Sequence, residues 1–225
     1  MADQIARIWA RYSYVYTKGL WGTIWLSAVS VFFATILGTI LAMLKLSKFK
    51  PLNWFVDLYL WILRGTPALL HLYFFWLILP KILPTFQLSE TQCILIALIV
   101  SASAYVCEII RSGIQAVDIG QAEAAKSLGM TNFNTMRKIV LPQAVKNILP
   151  ALGNEYISMI KQTSLASVFF VGELMTAYRT IQAATFLSIP ALTIAGMVYL
   201  SVTSVLTLAL RAYERRLRRS DKAAE

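Results

Sequence analysis

The residues able to do chemistry in this chain are few, and most of them interrupt apolar runs. Arg64 lies in one such run, and Glu155, Lys161, Thr163 and Ser164 break another. An arginine near mid-membrane costs about 2.5 to 3.5 kcal/mol on insertion scales, so Arg64 is expected to face protein or water. These five residues offer donors and acceptors of both signs, which a zwitterionic solute or a coupled ion needs on a path through lipid. A structural role is the alternative: Asp57 and Arg64, seven residues apart, share a helical face and could form an ion pair. His71, the only histidine, stands one turn beyond Pro67 and reads as hydrogen-bonded structure rather than a ligand. Cys93 and Cys107 have no ligand-spaced companions and read as small buried hydrophobes, with no metal or disulfide expected. No glycine is followed by lysine, so the G-x-x-x-x-G-K-[ST] loop that cradles nucleotide phosphates is absent. Neither an H-E-x-x-H pair nor a convergent Ser, His and Asp set is present, so the chain reads as a non-enzyme that binds no cofactor.

A second concentration of polar residues, 118–142, stands between apolar segments. Asp118 is placed to cap a helix starting at Ile119, with Gln121 as the reciprocal member of a capping box. Gly129 suits the left-handed residue that ends such a helix. Thr131 then caps a second short helix, which is expected to stop at Pro142. Ala122, Ala124 and Ala125 leave little side chain between the first helix and a partner, and Glu123 adds one charge. Helices this short are marginal alone, so the pair needs something to pack against.

The elements that carry these groups follow from composition. Apolar residues make up 58% of the 225 and charged residues only 14%, with a mean hydropathy of +0.63, too little polar material to cover a soluble globule. One membrane domain, 1–225, is expected. Five spans are predicted: 20–44, 54–79, 92–110, 145–171 and 186–210, with 1–18 a short surface helix. The first run is too long for a signal peptide and no small-residue cleavage site follows it. Ala34, Gly38 and Ala42 form a flat stripe for close helix packing. Gly65 and Pro67 should open the second span, and Glu108 should pair with Arg111. With the C-terminus inside, 14 of the 21 Lys and Arg residues fall in cytoplasmic segments, which places 118–142 in the cytoplasm and the N-terminus outside. The net charge of +10 is thereby a matter of membrane orientation rather than nucleic-acid binding.

The series Glu123-Ala124-Ala125, three residues, Gly129, nine residues, Ile139-Val140-Leu141-Pro142 resembles the EAA signature of the membrane subunits of ABC importers. Arg64-Gly65-Thr66-Pro67, Glu108-Ile109-Ile110-Arg111 and Lys161-Gln162-Thr163-Ser164-Leu165 are similar to markers of the polar amino-acid branch. The resemblance implies an all-α membrane protein of five spans with a cytoplasmic pair of coupling helices, as in type I importers. It implies a permease subunit for amino acids, working with a second, identical or related, permease subunit, two ABC ATPase subunits that hold ATP and Mg, and an extracytoplasmic binding protein. Glu123, Ala124, Ala125, Gly129, Leu141 and Pro142 then fall at the contact with the ATPase. A carrier driven by an ion gradient, with Asp57, Arg64, Glu108, Glu155 and Lys161 as coupling groups, is the competing class, but it has no use for a docking loop.

Overall fold

Residues 1–47 and 49–222 are described by the computed structural model, with side chains to Leu217; Lys48, one of the cations counted above, lies outside the described residues. Among these residues every regular element is helical. The order is α1 (Ala2–Lys45), α2 (Lys50–Gly65), α3 (Ala68–Ile82), α4 (Glu90–Gln115), α5 (Ile119–Ser127), α6 (Asn132–Thr135), α7 (Leu141–Gln162), α8 (Leu174–Thr185) and α9 (Ser188–Lys222). Helices α1, α4 and α9 are each long and apolar enough to cross a membrane, and α2 with α3, bent by 108°, has the length and composition of a fourth span if the two act as one broken helix. The fifth leg is α7, whose 22 residues reach about 33 Å at 1.5 Å per residue. It is too polar to qualify on composition, in keeping with its interrupted sequence.

The bend between α2 and α3 falls at Gly65, Thr66 and Pro67, as the sequence requires: Thr66 is extended, and Pro67 has no N–H to continue the ladder. The small-residue stripe also holds. Ala34, Gly38 and Ala42 are buried against α4, where a Cβ added at Gly38 would lie 2.7 Å from Val106 Cγ1 and 2.9 Å from the Ser103 carbonyl oxygen. Cys93 and Cys107 are buried and free.

Several boundaries differ from expectation. Residues 2–18 are not a separate surface helix but the first turns of the 44-residue α1. Pro142 does not end the helix before it. A wide π turn, Met136–Val140, in which the Leu141 N–H reaches the Met136 carbonyl, accommodates the ring, and α7 begins at Leu141. The span foreseen as 145–171 splits into α7 and a tight 3-10 stretch, Thr163–Phe169, closed by left-handed Phe170. The connection after it contains a helix of its own, α8, and left-handed Phe186 delays the last helix to Ser188.

Two apolar cores result. One joins the inner part of α1 to α2, α3, α4 and α7; the other joins the first turns of α1 to α8 and the start of α9.

Candidate coupling surface and translocation path

The bend at 118–142 is built from local chemistry. Asp118 Oδ1 accepts from the Gly120 N–H at 2.7 Å, capping α5. Gln121 does not complete a capping box; its side chain is exposed. At the other end the Met130 N–H reaches the Ala125 carbonyl at 3.1 Å and the Gly129 N–H reaches Lys126 at 2.9 Å. This is the paired bonding of a Schellman motif, with Gly129 at φ +82° as its left-handed residue. Thr131 Oγ1 accepts from the Asn134 N–H at 3.3 Å and starts α6.

Of the expected contact residues, Glu123, Ala124, Gly129, Leu141 and Pro142 are exposed, whereas Ala125 is buried as α5 packs on α6 and the π turn. Ala125 therefore shapes the bend from within rather than meeting a partner. The reading of small alanines also missed the bend's most prominent feature. Leu128 is 85% exposed, Ile119 73% and Phe133 70%, with Met136 beside them. Large apolar side chains left in water this way mark a contact surface. Their signal was present in sequence as apolar residues with no place in either short helix's inner face.

The polar residues of the spans fall into separate groups. Arg64 and Asp57 do not pair: Asp57 binds Lys45 at the junction of α1 and α2, while Arg64 lies 3.6 Å from Glu108 and 6.0 Å over the Tyr105 ring. Glu108 is gripped more closely by Arg111, at 2.7 and 3.2 Å, and Arg111 in turn donates to Gln115. Arg64 thus reaches α4 from the break in the second crossing. Lys161, Thr163 and Ser164 share one turn where α7 tightens. Thr163 is buried and donates to the Ile160 carbonyl at 2.8 Å, Ser164 donates to Lys161 at 2.7 Å, and Lys161 is exposed. Two turns earlier Glu155 is half-buried, and its Oε1 has no hydrogen-bond partner.

His71 is structural. The Thr66 hydroxyl donates to the Ile62 carbonyl, so it can only accept from His71 Nε2 at 2.6 Å, which leaves Nδ1 to accept from Ser101 at 2.7 Å. The imidazole bridges α2, α3 and α4 at the break.

Glu173 falls in the connection between the fourth and fifth predicted spans. It is fully buried at the start of α8, where its carboxylate accepts from the Met175 and Thr176 N–H groups at 2.7 and 2.6 Å and from Tyr199 Oη at 2.9 Å. The Leu174 N–H donates to Thr23 at 3.0 Å, so one corner ties α8 to both α9 and α1. A short polar residue is the usual cap, and a glutamate reaching over its own helix start gives little warning in sequence.

A helical bundle of five membrane legs, with polar residues inside it and an exposed apolar bend between its third and fourth, defines a multi-pass membrane transport subunit. The chain belongs to the family described as the inner membrane component of binding-protein-dependent transport systems, whose pattern it matches over residues 34–219. It is 39% identical over 204 residues to the arginine transport system permease protein ArtQ of Bacillus subtilis (strain 168), covering 91% of this chain and 93% of that protein. The L-cystine transport system permease protein TcyB of the same organism is 36% identical, over 91% of this chain and 87% of its own. Among solved structures, one titled as an amino acid ABC transporter with histidines superposes with a TM-score of 0.86 at 37% identity, covering 92% of this chain and 96% of that one. The inward-facing MetNI methionine ABC transporter matches with a TM-score of 0.78 at 17% identity, over 91% and 96% of the two chains, and shows the shared fold. The chain is therefore an inner-membrane permease subunit of the ABC importer class, with the fold of type I importers.

Proposed function

We propose that this subunit and a second permease chain form the path of an ATP-driven amino-acid importer, with 1–225 acting as a single permease domain. A separate ABC ATPase, which binds ATP and Mg, docks on 118–142, and an extracytoplasmic binding protein delivers the solute. The observation that carries the coupling role is the bend at Gly129, where Leu128 and Phe133 stand exposed on a stretch otherwise polar enough to lie in water. A gradient-driven carrier would gain nothing from that surface, and the likeness to arginine and L-cystine permeases favours uptake of amino acids.

Along the path, Arg64 and Lys161 offer donors for a substrate carboxylate, while the Thr163 and Ser164 hydroxyls, whose protons go to backbone carbonyls, shape the turn beside them. Glu155, with an oxygen left unpartnered inside the bundle, offers an acceptor for a cationic group. Arginine permeases stand at 39% and 40% identity among the relatives, which favours a substrate with a cationic side chain. Uptake by the reconstituted complex of this subunit, its ATPase and its binding protein tests the proposal. Amino-acid accumulation that needs ATP hydrolysis is the expected result, and accumulation driven by an ion gradient without ATP would overturn it.

A further inference from the structure

Two arginines share one carboxylate beside the break between α2 and α3, and they hold it unequally. Arg111 grips Glu108 as a fork, Nη2 to Oε2 at 2.7 Å and Nε to Oε1 at 3.2 Å, and its Nη1 donates to Gln115 at 2.7 Å. Arg64 Nη1 stands 3.6 Å from Glu108 Oε2, the oxygen that Arg111 already occupies at the shorter distance. That is beyond a hydrogen bond, and among the described residues the Arg64 guanidinium donates none. Its side chain is 45% exposed, against 22% for Glu108. Arg64 can therefore leave Glu108 without stranding a half-buried carboxylate, because Arg111 keeps that carboxylate paired.

Charge makes the group lopsided. Lys45 and Asp57 pair with each other at the junction of α1 and α2, which leaves Arg64, Glu108 and Arg111 with two positive charges and one negative. The surplus falls on Arg64, the more exposed and loosely held member, in the last turn of α2 where the helix opens at Gly65 and Pro67. Glu108 lies seven residues, about 10 Å, before the end of α4 at Gln115 that leads into the bend at 118–142.

We propose, resting on the reading that Arg64 lines the translocation path, that Glu108 competes with the solute's carboxylate for Arg64 and that Arg111 sets the strength of that competition. While a solute occupies Arg64, Glu108 stays with Arg111. When the solute leaves, Glu108 draws Arg64 back, so release does not expose a bare guanidinium inside the bundle. Glu108 and Arg111 are then positioning residues that act on the solute through Arg64.

Two substitutions should pull in opposite directions. Glu108→Gln removes the competitor, whereas Arg111→Gln frees Glu108 to hold Arg64 more closely. The test is equilibrium binding of L-arginine to the assembled transporter in nanodiscs, without binding protein or ATP, with agmatine, which lacks the carboxylate, as second probe. Glu108→Gln should bind L-arginine about two- to fivefold more tightly and Arg111→Gln about two- to fivefold more weakly, the range of a partly exposed ion pair. Agmatine binding should stay the same in both. Arg111→Lys, which keeps the charge and loses the fork, should weaken L-arginine binding less than Arg111→Gln does, and it serves where the glutamine variant does not assemble. Arg64→Gln should weaken L-arginine binding about tenfold or more, from the loss of charged hydrogen bonds. If Arg64→Gln leaves L-arginine binding unchanged, Arg64 does not line the path, and that reading fails together with the proposal. If Arg64→Gln weakens binding while the Glu108 and Arg111 variants shift it in the same direction, or shift agmatine equally, Arg64 keeps its place on the path and the competition is overturned.

Discussion

A valine at position 129 would have to hold a φ of +82°, a conformation that glycine adopts freely and a β-branched residue does not. Such strain costs on the order of 1 to 3 kcal/mol, and it acts between the exposed Leu128 and the cap at Thr131. Gly129→Val should therefore leave the subunit inserted and paired, yet weaken ATPase association and remove stimulation of ATP hydrolysis by loaded binding protein. Unchanged stimulation in vesicles would reduce the bend to a connection. Glu155 can be tested as sharply, because glutamine keeps its shape and removes only the charge. If the unpartnered oxygen meets a cationic group, losing a charged hydrogen bond worth about 1.5 to 3 kcal/mol should weaken apparent substrate affinity roughly ten- to a hundredfold, with assembly unaltered. Normal uptake kinetics in Glu155→Gln would move the path elsewhere. Glu173 is a stability residue by contrast: Glu173→Ala strands two backbone N–H groups and the Tyr199 hydroxyl in a buried corner. At about 1 to 3 kcal/mol for each unsatisfied group, a clear drop in thermal midpoint in detergent is expected, and a midpoint equal to the natural protein's would show that water replaces the carboxylate.

Among the elements, close packing of α1 on α4 is the feature most exposed to a single change. A leucine at position 38 would place its first carbon 2.7 Å from Val106 and 2.9 Å from the Ser103 carbonyl, a collision with backbone that rotamer changes cannot relieve. Gly38→Leu should part the two helices and lower the yield of folded complex, measured by monodisperse recovery in detergent; full recovery would mean α1 is free to slide. The same stripe shows why some elements were readable. Ala34, Gly38 and Ala42, the caps at Asp118 and Thr131, the left-handed Gly129 and the Gly65-to-Pro67 break all act through steric or hydrogen-bonding rules that operate within a few residues. What stayed hidden depends on distant partners. Helix α8 exists because Thr23 and Tyr199 receive its first turn, the π turn before Pro142 looks like any helical stretch, and the packing of the first turns of α1 on α9 includes a bond from Tyr16 to Ala191. The polar residues proposed for the path were legible as interruptions of apolar runs, but their grouping was not, since Arg64 turns to Glu108 on α4 rather than to Asp57 on its own helix.

At the scale of the whole molecule the decisive quantity is which side each end occupies. One leg, α7, stands between the bend at 118–142 and the region around α8 and puts them on opposite faces, and the distribution of cations chooses between the two arrangements. Fourteen of the 21 basic residues lie on the side of 118–142, among them Lys126, Arg137 and Lys138 on the bend and Arg211, Arg215 and Arg216 on the last turns of α9. Arg7, Arg11, Lys18, Lys81 and Arg179 lie on the other. Translocating the larger group would move far more positive charge across the membrane, so 118–142 and the C-terminal turns should be cytoplasmic and the N-terminal turns outside. Single cysteines at Ser127 and Thr180, both exposed, can report this, since the native Cys93 and Cys107 are buried and stay silent to a membrane-impermeant maleimide. In intact cells Thr180→Cys should label while Ser127→Cys should label only after the membrane is opened. The reverse pattern would place the bend outside, where no ATP-driven partner could reach it, and would undo the coupling role of Gly129 along with the orientation.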